Sequence, residues 1–431
     1  MAEKTVPITP PHTTEASPPA SPLRARPLHI PRTFSSLRHH NFQLYFAGQL
    51  VSVAGTWVQI IAQGWLVYQL NRSELTLGIV GFASAIPALL ISPWGGVVVD
   101  RVPKRGLLVV TQAVAMLLAF ILAVLTFNRS VQVWHVIVLT AVMGAVNAFD
   151  GPARQAFVVE MVGREDMTNA IALNSMMFNS ARVIGPAIAG VMLVAIGPAW
   201  CFFINGVSFL AVIAGLLAMQ LPPHGPIEKT GSSWKQLTSG FRYVWVHADL
   251  FALLLFALIF SVFGISYGTI LPAFVDKFLH RDAAGFGALN AASGLGAVFG
   301  AFLVARYGDR ISRGRWMICA NFAFPIILAV FAYVPFFYPS LVLSFGLGVG
   351  FMLQFTLFNI LLQTYVADEM RGRVLSLYTI TFFGFAPFGN LAIGLLSEAW
   401  GLSLTIGLCA LVAAILSMVV TLLVPKLWKM R

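Results

Sequence analysis

Charge is what this chain of 431 residues has least of. Asp, Glu, Lys and Arg make up 10% of it, against about 25% in an average globular protein, while 58% is hydrophobic and the mean hydropathy is +0.84. So few charges cannot coat a water-facing surface of this size, which excludes a soluble globular fold. Cysteine is scarce too. Cys201, Cys319 and Cys409 each fall in an apolar stretch, and an odd, widely spaced set there offers neither a disulfide framework nor a metal site. No H-E-x-x-H occurs, and of eight histidines only His135 lies within an apolar stretch, which leaves an enzyme working inside the bilayer as a remote alternative. The chain has no G-x-x-x-x-G-K-[ST] loop, so it does not itself consume ATP, and nothing in it calls for a cofactor. The net charge of +11 is spread over seven short segments rather than one element, which argues against a nucleic-acid partner and for contact with anionic membrane lipids.

What the chain has in abundance is long apolar runs. Twelve of them, near 42–70, 76–99, 107–127, 131–150, 170–196, 199–221, 249–275, 284–305, 316–334, 340–363, 374–397 and 402–424, are of a length to cross about 30 Å of hydrocarbon as helices. Of the 27 Lys and Arg residues, 22 lie in alternate gaps between these runs or at the two ends. The other gaps hold Arg72, Arg129, Lys277 and Arg281, and Arg182 lies within a run. Basic residues are retained on the cytoplasmic side, so the pattern predicts a multi-pass protein with both termini in the cytoplasm. The expected fold class is an all-α polytopic membrane protein. Residues 1–33, which hold eight of the 23 prolines and no apolar core of a signal peptide, are expected to form a disordered cytoplasmic tail.

The twelve runs repeat as six and six. Asp100-Arg101 after the second recurs as Asp309-Arg310 after the eighth, an offset of 209. Gln155-Ala156-Phe157-Val158 with Glu160 recurs as Gln363-Thr364-Tyr365-Val366 with Asp368, an offset of 208. Two parallel six-helix bundles, 34–221 and 249–431, follow. Residues 222–248 join them, and Trp234, Leu237, Phe241, Val244 and Trp245 recur there at helical spacing among Lys229, Lys235 and Arg242. That spacing predicts an amphipathic helix lying on the cytoplasmic membrane face. Parallel halves joined in this way suit a transporter whose site lies between two bundles.

Polar residues inside the runs are the candidates for function. Gln49, Ser52, Thr56, Gln59 and Gln63 recur at steps of three and four, which stacks them on one face of the first helix. Such a stripe cannot face lipid; it lines a cavity or a helix contact. Arg182 lies about 16 Å into the fifth run, a costly place for a base without a partner or water. Asp150 is the nearest acidic candidate, and Asp150, Arg154 and Arg182 form either a relay working with Asp100 or a static internal salt bridge. No carboxylate sits near the middle of a run.

Gly96-Val97-Val98-Val99-Asp100-Arg101-Val102-Pro103-Lys104-Arg105 resembles the signature loop of the major facilitator superfamily, G-x-x-x-D-[RK]-x-G-[RK]-[RK], with Pro103 in place of the second glycine. Gly185-Pro186-Ala187-Ile188-Ala189-Gly190 is similar to the family's antiporter motif, with Ala189 replacing one glycine. Phe34 to Tyr68, Phe149–Gln155 and Asn179–Pro186 resemble its transmembrane secretion effector branch, which includes the enterobactin exporter and macrolide-efflux-like proteins. The resemblance spans about 34–424. It implies a monomeric secondary transporter in a bacterial cytoplasmic (inner) membrane, exporting a lipophilic small molecule such as a siderophore or drug, with H+ as the coupling ion. A lysophospholipid or other lipid importer on the same fold is the alternative. The resemblance further implies that Gly96, Asp100, Arg101, Lys104, Arg105, Asp309 and Arg310 form a conformational gate and that Gly185, Pro186 and Gly190 serve antiport. Because the first, fourth, seventh and tenth spans line the cavity in this superfamily, Asn147, Ser261, Tyr267, Gln354 and Asn359 join the stripe as substrate candidates, with eight Phe between 345 and 388 as aromatic wall. Asp100→Asn is expected to slow transport while leaving equilibrium cargo binding nearly unchanged; a collapse of affinity with unaltered turnover would contradict the gate role.

Overall fold

The computed structural model describes residues 32–99, 101–163, 166–220, 233–308 and 312–430, and these contain helices and turns with no strand among them. Lipid offers no hydrogen-bond partner to a backbone, so each apolar run must satisfy its own N–H and C=O groups by becoming helical. The spans are His40–Asn71, Glu74–Val99, Lys104–Phe127, Val133–Val162, the two arms of Met167–Ala218, Ala248–Lys277, Ala283–Tyr307, Arg313–Tyr333, Phe337–Tyr365, Asp368–Trp400 and Leu402–Leu423. They are taken below as the first to the twelfth. Exposed apolar residues such as Val191, Val342 and Leu423 form the surface that meets lipid.

The fourth span outruns its hydropathy. Its apolar run ends near 150, but the helix continues to Val162, so the segment Gln155–Val158, placed in a loop by hydropathy, is helical. Arg154, Gln155 and Glu160 lower the local hydropathy, while Phe157, Val158, Met161 and Val162 keep a buried helical face. A hydropathy window averages over both faces and loses the second.

Spans five and six form one helical run broken at Gly197, whose φ of 78° and ψ of 172° leave the helical region. Glycine takes a positive φ without a Cβ penalty, and Pro198 starts the second arm with its φ already suited to a helix. Contacts with the first span fix the directions of the arms. Tyr45 meets Asn174 and Trp57 meets Gly185, so the first arm runs parallel to it. Leu44 meets Gly215, Gly48 meets Ala211 and Gly55 meets Asn205, so the second arm runs back. The seventh span is interrupted in its middle by a π turn, Phe260–Gly264, a widening of the helix common beside functional sites.

Between the halves, the second span packs on the eleventh and the fifth on the eighth. At the face away from the chain termini these contacts form a seal. Lys277 donates to Glu74 at 2.8 Å, the Tyr68 hydroxyl donates to Asp276 at 2.8 Å, and Arg72 reaches Asp276 at 3.4 Å. Glu398 accepts from the Ser73 hydroxyl at 2.5 Å and from the Leu75 backbone at 3.0 Å. Just below, Trp65 stacks on Phe286, and Gly190 lies against Gly287 so closely that a Cβ on either would enter the other's backbone.

At the opposite face, Asp166 ties the start of the fifth span to the 3-10 helix Arg32–Arg38, accepting from the Ser35 hydroxyl at 2.6 Å and meeting the His39 ring at 2.8 Å. The Ser35 bond first, and then His39, hold its carboxyl below the usual range. A depressed carboxylate stabilises the folded state at neutral pH and loses that contribution only as pH falls through its folded value. The linker helix Ser233–Val246 rests on the start of the eleventh span, where Arg373 donates to Ser239 at 2.9 Å. Val244 is buried, while Phe241 and Trp245 are exposed. Lys229 and residues 1–31 of the expected tail lie outside the described residues, as do the side chains of Trp234, Lys235 and Leu237.

Gly287→Val is expected to pry the halves apart at the sealed face. In a cysteine-free background carrying Thr269→Cys, a membrane-impermeant maleimide added from that face should react severalfold faster once Gly287→Val is introduced. An unchanged rate would mean that the glycine contact does not maintain the seal.

Candidate functional site

Two adjoining chambers lie beneath the seal, between the halves. The first, about 540 Å³, is lined from the first four spans, the sixth to eighth, and the eleventh. The second, about 490 Å³, lies among the first, fifth, seventh, eighth, ninth and tenth. Ile61, Ile265, Gly268 and Asn290 border both. Ile265 and Gly268 follow the π turn, so the break in the seventh span lies beside the boundary between the chambers.

The polar stripe of the first span divides between two environments. Thr56, Gln59 and Gln63 line the first chamber. Ser52 is buried away from it, and Gln49, 1% exposed, accepts a hydrogen bond from Arg154. The stripe is one helix face, but its terminus-side end lies against neighbouring spans and only its outer part borders open space. Asn147 also lines the first chamber and Tyr267 lines the second. Among the other candidates, Ser261 donates to the Phe382 carbonyl, Gln354 donates to the Ala320 carbonyl at 3.3 Å, and Asn359 donates to Phe355 in its own helix at 3.2 Å; none of the three lines a chamber. Of the eight phenylalanines, Phe351 lines the second chamber, Phe358 and Phe382 are fully buried, and Phe383, Phe385 and Phe388 are exposed. Asn205, Asn290 and Asn390 complete the first chamber from the sixth, eighth and eleventh spans, outside the set of lining spans expected from sequence. Each is an isolated amide in an apolar run, which is itself a signal of an interior position.

About 15 Å along the first span from Gln59, toward the termini, lies a buried charge cluster. Arg154 donates to Asp150 one helical turn before it and to Gln49, with its guanidinium 5.6 Å from the Phe178 ring. The other Asp150 oxygen accepts from Thr111 and Gln112, each at 2.8 Å. Asp150 is 6% exposed, and the donors of Thr111, Gln112 and Arg154 replace the water it has lost. The Arg182 side chain lies outside the described residues; the partner seen for Asp150 is Arg154.

In the loop after the second span, Lys104 pairs with Glu160 at 2.6 Å and Arg105 donates to the Leu217 carbonyl at 2.7 Å, while Arg101 is exposed. Asp100, Asp309 and Arg310 lie outside the described residues, and Gly96 is described only as helix backbone. Gly185 abuts Trp57, Pro186 lines the second chamber and Gly190 belongs to the seam with Gly287.

A family model described as transmembrane secretion effector matches residues 31–430, the whole helical body. The chain belongs to that family, within the major facilitator superfamily. It is 26% identical over 383 residues to the staphyloferrin A transporter of Staphylococcus aureus, covering 87% of this chain and 94% of that one. It is 26% identical over 388 residues to the multidrug efflux pump Tap of Mycolicibacterium fortuitum, covering 88% and 94%. Among solved structures, a bacterial homologue of the lysosomal transporter Spinster in an inward-facing, unoccupied conformation superposes with a TM-score of 0.66 at 14% identity, covering 93% of this chain and 98% of that one. The nucleoside transporter NupG gives 0.64 at 14% identity, covering 93% and 100%. These likenesses carry the fold, two six-helix bundles, and the chain is a transporter of that superfamily.

Removing one partner of the Asp150–Arg154 pair orphans a buried charge. Arg154→Ala is expected to destabilise the transporter by about 3–5 kcal/mol. Asp150→Asn with Arg154→Gln together should cost much less, read as thermal unfolding in detergent. Additive losses would show that the two side chains do not depend on each other.

Proposed function

We propose that the transporter is a secondary active exporter of lipophilic small molecules, of siderophore or macrolide-like drug type, working by alternating access and H+ antiport in a bacterial cytoplasmic membrane. One observation carries the reading: a cavity between two bundles that is sealed at the face away from the termini. The sequence pattern assigns 22 of the 27 Lys and Arg residues to the side opposite the seal, and positive-inside retention makes that side cytoplasmic. The sealed face is then external and the state is inward-facing. The bundles 34–221 and 249–431 rock about the chambers, and the linker 222–248 rides on the cytoplasmic membrane surface.

The seal supplies the bistable element. Its ion pairs and hydrogen bonds join Arg72, Ser73 and Glu74 of one bundle to Asp276, Lys277 and Glu398 of the other, so external opening must break them together. The Gly96–Arg105 loop, with Asp309-Arg310 in the other half, holds the cytoplasmic side in the alternate state. Arg154, held by both Asp150 and Gln49, ties the fourth span to the first, and a change in that pair would alter the contact between them. The relatives named for staphyloferrin A transport and multidrug efflux support the cargo class.

Deleting the chain from a host that makes it should raise retained cargo or drug sensitivity; an uptake defect would reverse the assigned direction. In inverted vesicles, cargo accumulation should rise severalfold when the lumen is acidified. Accumulation indifferent to the gradient in the unaltered protein would remove H+ as coupling ion.

A further inference from the structure

The first chamber is polar yet free of charge. Six amides line it, Gln59, Gln63, Asn147, Asn205, Asn290 and Asn390, and among its described lining residues there is no Asp, Glu, Lys, Arg or His. Some amide capacity is used internally: Asn205 donates to Gln59 at 2.7 Å and Gln63 to Thr140 at 2.9 Å. Asn147 and Asn390, by contrast, make no side-chain hydrogen bond to a described residue, although each lines the chamber. The second chamber differs in character. Trp57, Phe324 and Phe351 with the thioethers of Met176 and Met352 dominate its wall.

The nearest full charges are already spent on one another. Those above belong to the seal, where Glu74 meets Lys277 and Asp276 meets Arg72. Those below belong to Asp150 and Arg154; Asp150 stands one helical turn from Asn147, but its carboxylate is taken up by Arg154, Thr111 and Gln112 and does not line the chamber. A charged cargo group occluded in the first chamber would lose its water and gain no counter-charge, a penalty that amide dipoles do not return. An uncharged group bearing both donors and acceptors, such as a carboxamide, hydroxamate or polyol, loses little, because a primary amide offers both.

We propose that the transporter selects uncharged amphiphiles: a neutral, amide- or hydroxyl-bearing head held by the six amides, and an aromatic or aliphatic body in the second chamber. Polycarboxylate and polyamine cargoes are excluded at the occluded stage. This deepens the export reading and rests on it for the cycle, but not for the binding preference. It also separates cargo from proton, since no titratable acid or base touches the head, so cargo and H+ do not compete for one group.

The test uses three compounds of one shape: naphthoyl-asparaginamide, its aspartyl counterpart with a carboxylate in place of the side-chain amide, and its diaminobutyryl counterpart with an ammonium. Equilibrium dialysis against the full-length protein in nanodiscs is expected to rank the neutral compound at least about tenfold tighter than either ion. Asn147→Asp, at a side chain with no described hydrogen-bond partner to lose, should transfer the preference to the ammonium compound. Equal or tighter binding of an ion by the unaltered protein would overturn the proposal, and so would no binding of any of the three up to about 1 mM. The vesicle assay judges the export reading separately: gradient-driven accumulation of a charged cargo would sink neutrality and leave export standing.

Discussion

An unpaired charge in hydrocarbon is the state this structure is arranged to avoid. Most basic residues lie in the gaps between the apolar runs, 22 of the 27 in alternate gaps or at the two ends. Among the described residues, Arg154 enters together with its partner, one turn from Asp150 on the same helix. The charges between the halves are gathered at the sealed face, each matched from the other bundle. What remains for the interior is neutral polarity, and the chambers are built from amides, hydroxyls and aromatic rings.

Much of this was legible before any coordinates. The alternation of Lys and Arg depends only on which gap a residue occupies, and the offsets near 208 expose a duplication whatever the packing. The first-span stripe was legible as interior, because helical spacing alone decides which residues share a face. Which end of the stripe borders space was not, since Gln49 and Gln59 are alike in sequence and differ only in the neighbours brought against them, Arg154 from the fourth span and Asn205 from the sixth. Arg154 was grouped with Asp150 from the sequence, but not as its neighbour one turn on in the same span, because hydropathy cannot see a helix whose buried face continues past its apolar run.

The chamber amides mark a second limit. Asn205, Asn290 and Asn390 each interrupt an apolar run as plainly as Asn147 does. Expecting the cavity from four particular spans directs attention away from the sixth, eighth and eleventh. The seventh span borders both chambers just after its π turn, through Ile265 and Gly268. Residue type was informative there, and spatial convergence was not available from one chain read in order.

The glycine seam between spans five and eight has a genealogical consequence. The two halves descend from one pattern and have drifted until only loops such as Asp100-Arg101 and Asp309-Arg310 betray it. At Gly190 and Gly287 that freedom stops, since the space that would admit a side chain on one is filled by the backbone of the other. A hybrid gene joining the first half of this chain to the second half of a relative would therefore succeed or fail at this crossing first, however well the remaining helices match.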